Sequence, residues 1–188
     1  MRLYALCDKD MLLSRGVSLE EYITLAISLN AEIIQYRAKH NDIASIKSDL
    51  IKIRQLFDGY LIVNDVYELI SYCDGVHIGQ EDLIAIDSNP QKAVKTLREV
   101  IGKDKIIGLS THNETEIKIA NSLDLNYIGL GAYRATSTKN VPKLLGDKLD
   151  VLAAFSKHKV AAIGGVTMHD TFKNVTYHVM GSGLFNEH

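Results

Sequence analysis

Short apolar runs alternate along the chain with segments whose apolar residues recur at helical spacing. The runs fall at Arg2–Asp8, Glu32–Lys39, Tyr60–Asp65, Gly75–Gln80, Lys105–His112, Tyr127–Tyr133, Lys159–Val166 and Tyr177–Ser182, each about the length of a buried strand. The helical segments between them carry their own start signals. Ser18 precedes Leu19-Glu20-Glu21 as a capping box before Tyr22, Ile23, Leu25, Ala26 and Leu29. Asn41 or Asp42 opens a segment with Ile43, Ile46, Leu50, Ile53 and Leu56-Phe57 on one face. Further helices are predicted at Val66–Cys73, Asn89–Ile101, Glu114–Leu123 and Lys148–His158, with a weaker one at Met168–Asn174.

Strict strand–helix alternation implies a parallel sheet with helical crossovers. Eight such units predict an α/β fold of the closed (β/α)8 TIM-barrel type; an open flavodoxin-like sheet is the alternative. At 188 residues the chain is short for a barrel that typically takes about 250. The C-terminal helices are therefore expected to be shortened, and Gly183–His188 cannot form a full eighth helix. No linker divides the chain, so residues 1–188 are read as one barrel domain.

Composition narrows the function. The chain is 46% apolar and 23% charged, with a formal net charge of −2, which offers no basic excess for nucleic acid. Its two cysteines, Cys7 and Cys73, belong to no CxxC or Cys/His cluster, so a reducing cytoplasm is expected. No apolar run approaches the roughly 20 residues of a membrane span.

The unusual polar residues fall at the carboxyl ends of the predicted strands, where parallel α/β proteins bind ligands. Successive strands end in Gln35-Tyr36-Arg37-Ala38-Lys39, Asn64-Asp65, His77-Ile78-Gly79-Gln80-Glu81-Asp82 and Ser110-Thr111-His112. The sixth leads into Thr136-Ser137-Thr138-Lys139, and the last two end in Gly164-Gly165 and Gly181-Ser182-Gly183. Arg37, Lys39 and Lys139 are three cations from separate loops that suit a polyanion. Asp65 and Asp82 can cap helices or hold a hard cation; cations and carboxylates at one rim read as an Mg2+–diphosphate site. The glycine pairs are either plain turns or backbone N–H donors for a second phosphate. His77 lies on the apolar pattern of its strand and reads as a hydrogen-bonded core histidine. Small phosphorylated substrates are the expected partners.

In order, Q-x-R-x-K, N-D, G-V-H-x-G-Q-E-D, G-x-S-T-H, T-x-T-K and I-G-G resemble the thiamine phosphate synthase family over about Leu3 to Phe185. The resemblance implies a reaction that joins hydroxymethylpyrimidine diphosphate to a thiazole phosphate, releasing pyrophosphate. It implies that Gln35, Arg37, Lys39, Asn64 and Lys139 hold the pyrimidine diphosphate, Asp65 and Asp82 carry Mg2+, and Ser110 contacts the pyrimidine substrate. Thr136, Thr138, Gly164, Gly165, Gly181 and Ser182 would receive the thiazole phosphate. Arg37, Lys39 and Lys139 would stabilise the charge that grows on the departing diphosphate.

The sequence departs from the family pattern in several places. Val66 stands where a basic residue is common. The segment after strand six reads Gly131-Ala132-Tyr133-Arg134-Ala135 without the usual proline, and Arg134 adds a cation. Tyr177 and His178 stand in strand eight where small apolar residues are usual. Only residues 166–180 separate Gly165 from Gly181, which predicts an abbreviated seventh helix and an exposed apolar edge suited to a homodimer. Two other activities compete: a thiazole tautomerase-like isomerase using His112, and a non-catalytic binder of thiazole or thiamine phosphates.

Overall fold

The computed structural model describes residues 2–135 and 144–187. Eight parallel strands close on one another in sequence order, with the last beside the first. They are β1 (Arg2–Asp8), β2 (Ile33–Arg37), β3 (Tyr60–Asn64), β4 (Gly75–Ile78), β5 (Ile106–Thr111), β6 (Tyr127–Leu130), β7 (Lys159–Ala162) and β8 (Tyr177–Met180). The helices are α1 (Lys9–Arg15), α2 (Leu19–Ser28), α3 (Ile43–Leu56), α4 (Gln80–Ile86), α5 (Pro90–Ile101), α6 (Glu114–Ala120) and α7 (Lys148–Ala153). The predicted barrel is the observed fold.

Strand parity sorts the side chains into two cores. One face of the strands joins the helices in the outer core, for example Ala5, Ile34, Leu61, Val76 and Ile107. The other face fills the barrel with Tyr4, Leu6, Ile33, Ile62, Tyr127, Ala161, Tyr177 and Val179. Helix starts follow the local signals. The Ser18 Oγ accepts from Glu21 N at 3.2 Å while the Glu21 carboxylate accepts from Ser18 N at 2.7 Å. Asp42 caps α3 and Asn89 caps α5 by accepting from Ser45 N and Lys92 N, without the reciprocal bond.

Three helix predictions are corrected. The segment predicted as Val66–Cys73 is a 3-10 helix, Tyr67–Tyr72. Gln80-Glu81-Asp82, read as the polar end of the fourth strand, open α4, a helix that was not predicted. The weak helix at Met168–Asn174 is absent: β7 reaches β8 without one. The Asp150 carboxylate claims two backbone donors that a helix would use there, while Asp170 turns back to hold Thr167 N just ahead of the predicted segment. Thr167 N donates to Asp170 at 2.8 Å, and Lys173 N and Asn174 N donate to Asp150 at 3.2 and 2.8 Å.

The C-terminal end is short, as expected: only the 3-10 helix Ser182–Asn186 follows β8, and α7, predicted over Lys148–His158, already stops at Ala153. The exposed apolar edge expected there is not found. Val166 and Leu184 are buried, and Met168, Phe172 and Phe185 pack partly buried against the core. Large exposed apolar residues lie elsewhere, on helix surfaces such as Leu13, Ile84 and Val151. No helix among the described residues is long and apolar enough to cross a membrane.

Candidate active site

Inward positions of the strands carry a continuous polar layer that runs from the barrel interior, at Tyr4 and Tyr127, out to the carboxyl end of β3 at Asn64. Two glycines make room for it. A Cβ on Gly108 would collide with the Tyr127 ring, and one on Gly129 would stand 3.0 Å from the His77 ring. Small residues on β5 and β6 thus admit two large polar rings to the interior of the barrel.

The rings join a chain of hydrogen bonds that crosses the barrel. Ser110 Oγ and His77 Nε2 are 2.9 Å apart, and His77 Nδ1 and the Tyr127 hydroxyl are also 2.9 Å apart. The Tyr127 and Tyr4 hydroxyls are 2.7 Å apart, and Tyr4 donates to Gln35 Oε1 at 2.8 Å. Gln35 Nε2 donates to Asn64 Oδ1 at 2.7 Å, and Asn64 Nδ2 donates to Asp65. A phenol has one proton, so Tyr4 donating to Gln35 must accept from Tyr127. Tyr127 then accepts from His77 Nδ1, and in that tautomer His77 Nε2 accepts from the Ser110 hydroxyl. Every donor in the series points toward the Asp65 carboxylate. Burial pushes the pKa of both phenols up, keeping them neutral donors.

Asp65 stands at the end of β3 in a left-handed conformation, φ 63°. Its side chain neighbours Asp82, in the first turn of α4. Burial and the neighbouring Asp82 charge push the Asp65 carboxyl from 3.8 up to about 6, against opposing pulls from Gly79 N–H and Lys39. Neither aspartate caps a helix: the 3-10 helix after β3 has Val66 at its N-cap, and α4 has Gly79. The capping alternative is therefore not what these carboxylates do.

The other expected residues divide. Arg37 ends β2 with its guanidinium ion-paired to Asp8 at the end of β1, an aspartate that is itself buried and caps α1. Lys39 is exposed two residues beyond. Ser110 lies in the polar layer, and Gln80 Nε2 also donates to its carbonyl at 2.6 Å. Thr136, Thr138 and Lys139 lie outside the described residues. His112 is directed elsewhere: its Nδ1 is 3.0 Å from Glu116, which also accepts from His112 N at 2.8 Å. The histidine that touches Ser110 is His77.

Gly164 and Gly165 follow β7 with φ 87° and 66°, a conformation that costs other residues about 1 kcal/mol or more. A Cβ on Gly164 would also lie 2.5 Å from the Ala132 Cβ. Gly181 and Ser182 open the 3-10 helix after β8. A Cβ on Gly183 would lie 3.7 Å from the Val166 carbonyl, so the two glycine turns are neighbours.

Sequence reading missed Tyr4, Tyr127 and Asp8 as site residues, as well as a salt bridge between Arg134 and Asp170. The available signal was strand parity: Tyr4 and Tyr127 occupy inward positions, with glycines at inward positions of β5 and β6.

The family model described as thiamine monophosphate synthase matches residues 3–182. The thiamine-phosphate synthase of Persephonella marina is 36% identical over 172 residues, covering 88% of this chain and 77% of that one. That of Lawsonia intracellularis is 34% identical over 175 residues, covering 89% and 76%. Among solved structures, a thiamine phosphate pyrophosphorylase from Pyrococcus furiosus superposes with a TM-score of 0.75 at 22% identity, covering 96% of this chain and 85% of that one. A mutant tryptophan synthase α-subunit from the same organism reaches 0.64 at 13% identity, covering 98% and 88%. These structural likenesses establish the barrel, whereas the sequence matches place the chain in one branch of it: it belongs to the thiamine monophosphate synthase family.

Proposed function

We propose that the chain joins hydroxymethylpyrimidine diphosphate to a thiazole phosphate, giving thiamine phosphate and pyrophosphate. Family membership supports the reaction class, a transferase. The observation that carries the site assignment is the polar layer running from Ser110 to Asp65, which ends on two neighbouring carboxylates.

The carboxylate pair fits Mg2+. Asp65 and Asp82 carry one like charge too many for a partly buried pair, as the raised Asp65 pKa reports. No group of three or more His, Cys, Asp or Glu side chains suited to a metal occurs among the described residues. Mg2+ usually takes one or two carboxylates and completes its shell with water and substrate phosphate. When bound, the ion would neutralise charge on the diphosphate.

The chain's own residues do the rest. In the first step the bond from the pyrimidine methylene carbon to the diphosphate oxygen breaks, its electron pair leaving with pyrophosphate. The thiazole nitrogen lone pair then forms the new C–N bond. Arg37, Lys39 and Lys139 stabilise the leaving charge, and Asp8 orients Arg37. Gln35, Asn64 and Ser110 hold the pyrimidine diphosphate on a scaffold that cannot rotate without breaking its hydrogen bonds. Gly164, Gly165, Gly181 and Ser182, with Thr136 and Thr138, receive the thiazole phosphate.

The test is a direct assay with both substrates and Mg2+, reading thiamine phosphate as fluorescent thiochrome. Product that EDTA abolishes supports the reaction and its metal. Conversion of a thiazole carboxylate phosphate without the pyrimidine substrate would mark an isomerase, and substrate binding without turnover a binding protein. We also propose that the protein is cytoplasmic; the homodimer expected from an exposed C-terminal apolar edge loses that ground, since the edge is covered.

A further inference from the structure

The connection from β7 to β8 keeps its shape without a helix because one arginine from the preceding loop reaches across to it. Arg134 Nη1 and Nη2 bind the Asp170 carboxylate in bidentate fashion at 2.8 and 2.6 Å. Asp170 also accepts from Thr167 N at 2.8 Å and from Thr167 Oγ1 at 3.0 Å. The Thr167 carbonyl lies 3.2 Å from His178 Nδ1. His178, unexpected in this strand, thus ties the connection to the barrel wall. The Arg134 guanidinium also lies 4.2 Å above the Tyr133 ring, whose neighbour at 5.1 Å is Phe172.

The same loop controls the direction of three peptides. The Ile163 carbonyl accepts from Tyr133 N at 2.9 Å and the Gly164 carbonyl from Arg134 N at 2.8 Å. The Gly165 carbonyl accepts from Arg134 Nη1 at 3.1 Å. Three consecutive carbonyls therefore point toward residues 133–134, which the left-handed φ of Gly164 and Gly165 permits. In a trans peptide the N–H is antiparallel to its C=O. The N–H groups of Gly164, Gly165 and Val166 are thus presented together on the opposite side. Among the described residues none of these three donates a hydrogen bond. Converging backbone donors of this kind accept an anion.

We infer that Arg134 and Asp170 are positioning residues for this turn: they hold the Gly165 carbonyl, and so aim the adjacent N–H groups, without touching substrate. The inference rests on the proposal that the turn receives the thiazole phosphate. Asp170 keeps the guanidinium over Gly165, and Thr167 keeps Asp170 in place. A lysine at position 134 retains the charge but not the fork that binds Asp170 and Gly165 together.

Steady-state kinetics of the full chain test this, with each substrate varied while the other saturates. Arg134→Ala is expected to raise the KM for thiazole phosphate about tenfold. The KM for pyrimidine diphosphate and the unfolding midpoint should stay near their original values. Arg134→Lys should recover part of the loss, and Asp170→Asn should follow Arg134→Ala. An unchanged thiazole-phosphate KM would overturn the inference, as would equal rises for both substrates together with a lower unfolding midpoint. Absence of turnover in the unsubstituted protein would instead defeat the proposed reaction, so the two failures are distinguishable.

Discussion

The two sides of the barrel mouth are built by different means. On the β2–β4 side, Gln35, Asn64 and Asp65 are set by hydrogen bonds that run through the barrel to Tyr4, Tyr127, His77 and Ser110. On the β6–β8 side, the Gly164-Gly165 turn is set from the outside by a neighbouring loop and an ion pair on an exposed arginine. The first arrangement is enclosed by packed strands and is costly to disturb, because each buried donor left without a partner loses about 1–3 kcal/mol. The second depends on surface groups and can be altered with little damage to the core. A rigid β2–β4 side and an adjustable β6–β8 side follow from that contrast.

The largest expected effect tests the enclosed side. Asp65→Ala should cut turnover by about 10²–10³ at saturating Mg2+ while circular dichroism shows an intact fold; near-normal turnover would remove Asp65 from the metal assignment. Lys139→Ala is expected to lose a comparable factor, and retention of most activity would count against charge stabilisation by that lysine.

Next is the outer side. Gly164→Ala should destabilise the protein by about 1–3 kcal/mol and raise the thiazole-phosphate KM, since its φ is 87° and the new methyl would meet Ala132. Denaturant unfolding measures the first effect and kinetics the second. Tyr127→Phe removes a hydroxyl that links Tyr4 to His77 and should cost about 1–3 kcal/mol. An unchanged unfolding midpoint would show that the polar layer contributes less than its geometry implies.

The smallest effect is a pH dependence. The folded Asp65 carboxyl has a pKa of about 6, above its ordinary 3.8. Below pH 4 the group is protonated in both states and has no effect. As pH rises from about 4 to 6, the unfolded chain releases the proton first, so the metal-free fold loses stability. The loss should be about 1 kcal/mol, reduced by solvent screening of a partly buried carboxyl. Asp65→Asn should abolish this slope, and Mg2+ should offset the loss above pH 6. Thermal unfolding with and without Mg2+ across this range checks both.

The strand and helix periods, the caps at Ser18, Asp42 and Asn89, and the polar residues at strand ends were all readable from the chain. Each is a local property: spacing and neighbouring side chains decide it. Those features were enough to predict the barrel and its shortened end, and the strand-end motifs carried the family resemblance. The structure then brings Asn64, Asp65 and Asp82 together as expected.

What the tertiary structure decided were the pairings between distant positions. Nothing near Tyr4 in sequence indicates that it meets Tyr127, 123 residues away, or that Arg37 is held by Asp8. The missing helix at 168–174 has the same origin. Its local pattern favoured a helix, but Asp150, from a distant helix, took the backbone donors of Lys173 and Asn174. Period and composition determine which face of an element is buried; closure of the barrel determines which buried polar groups meet. Those meetings depend on strand register and on the space left by glycines such as Gly108 and Gly129, quantities that exist only once the chain has folded.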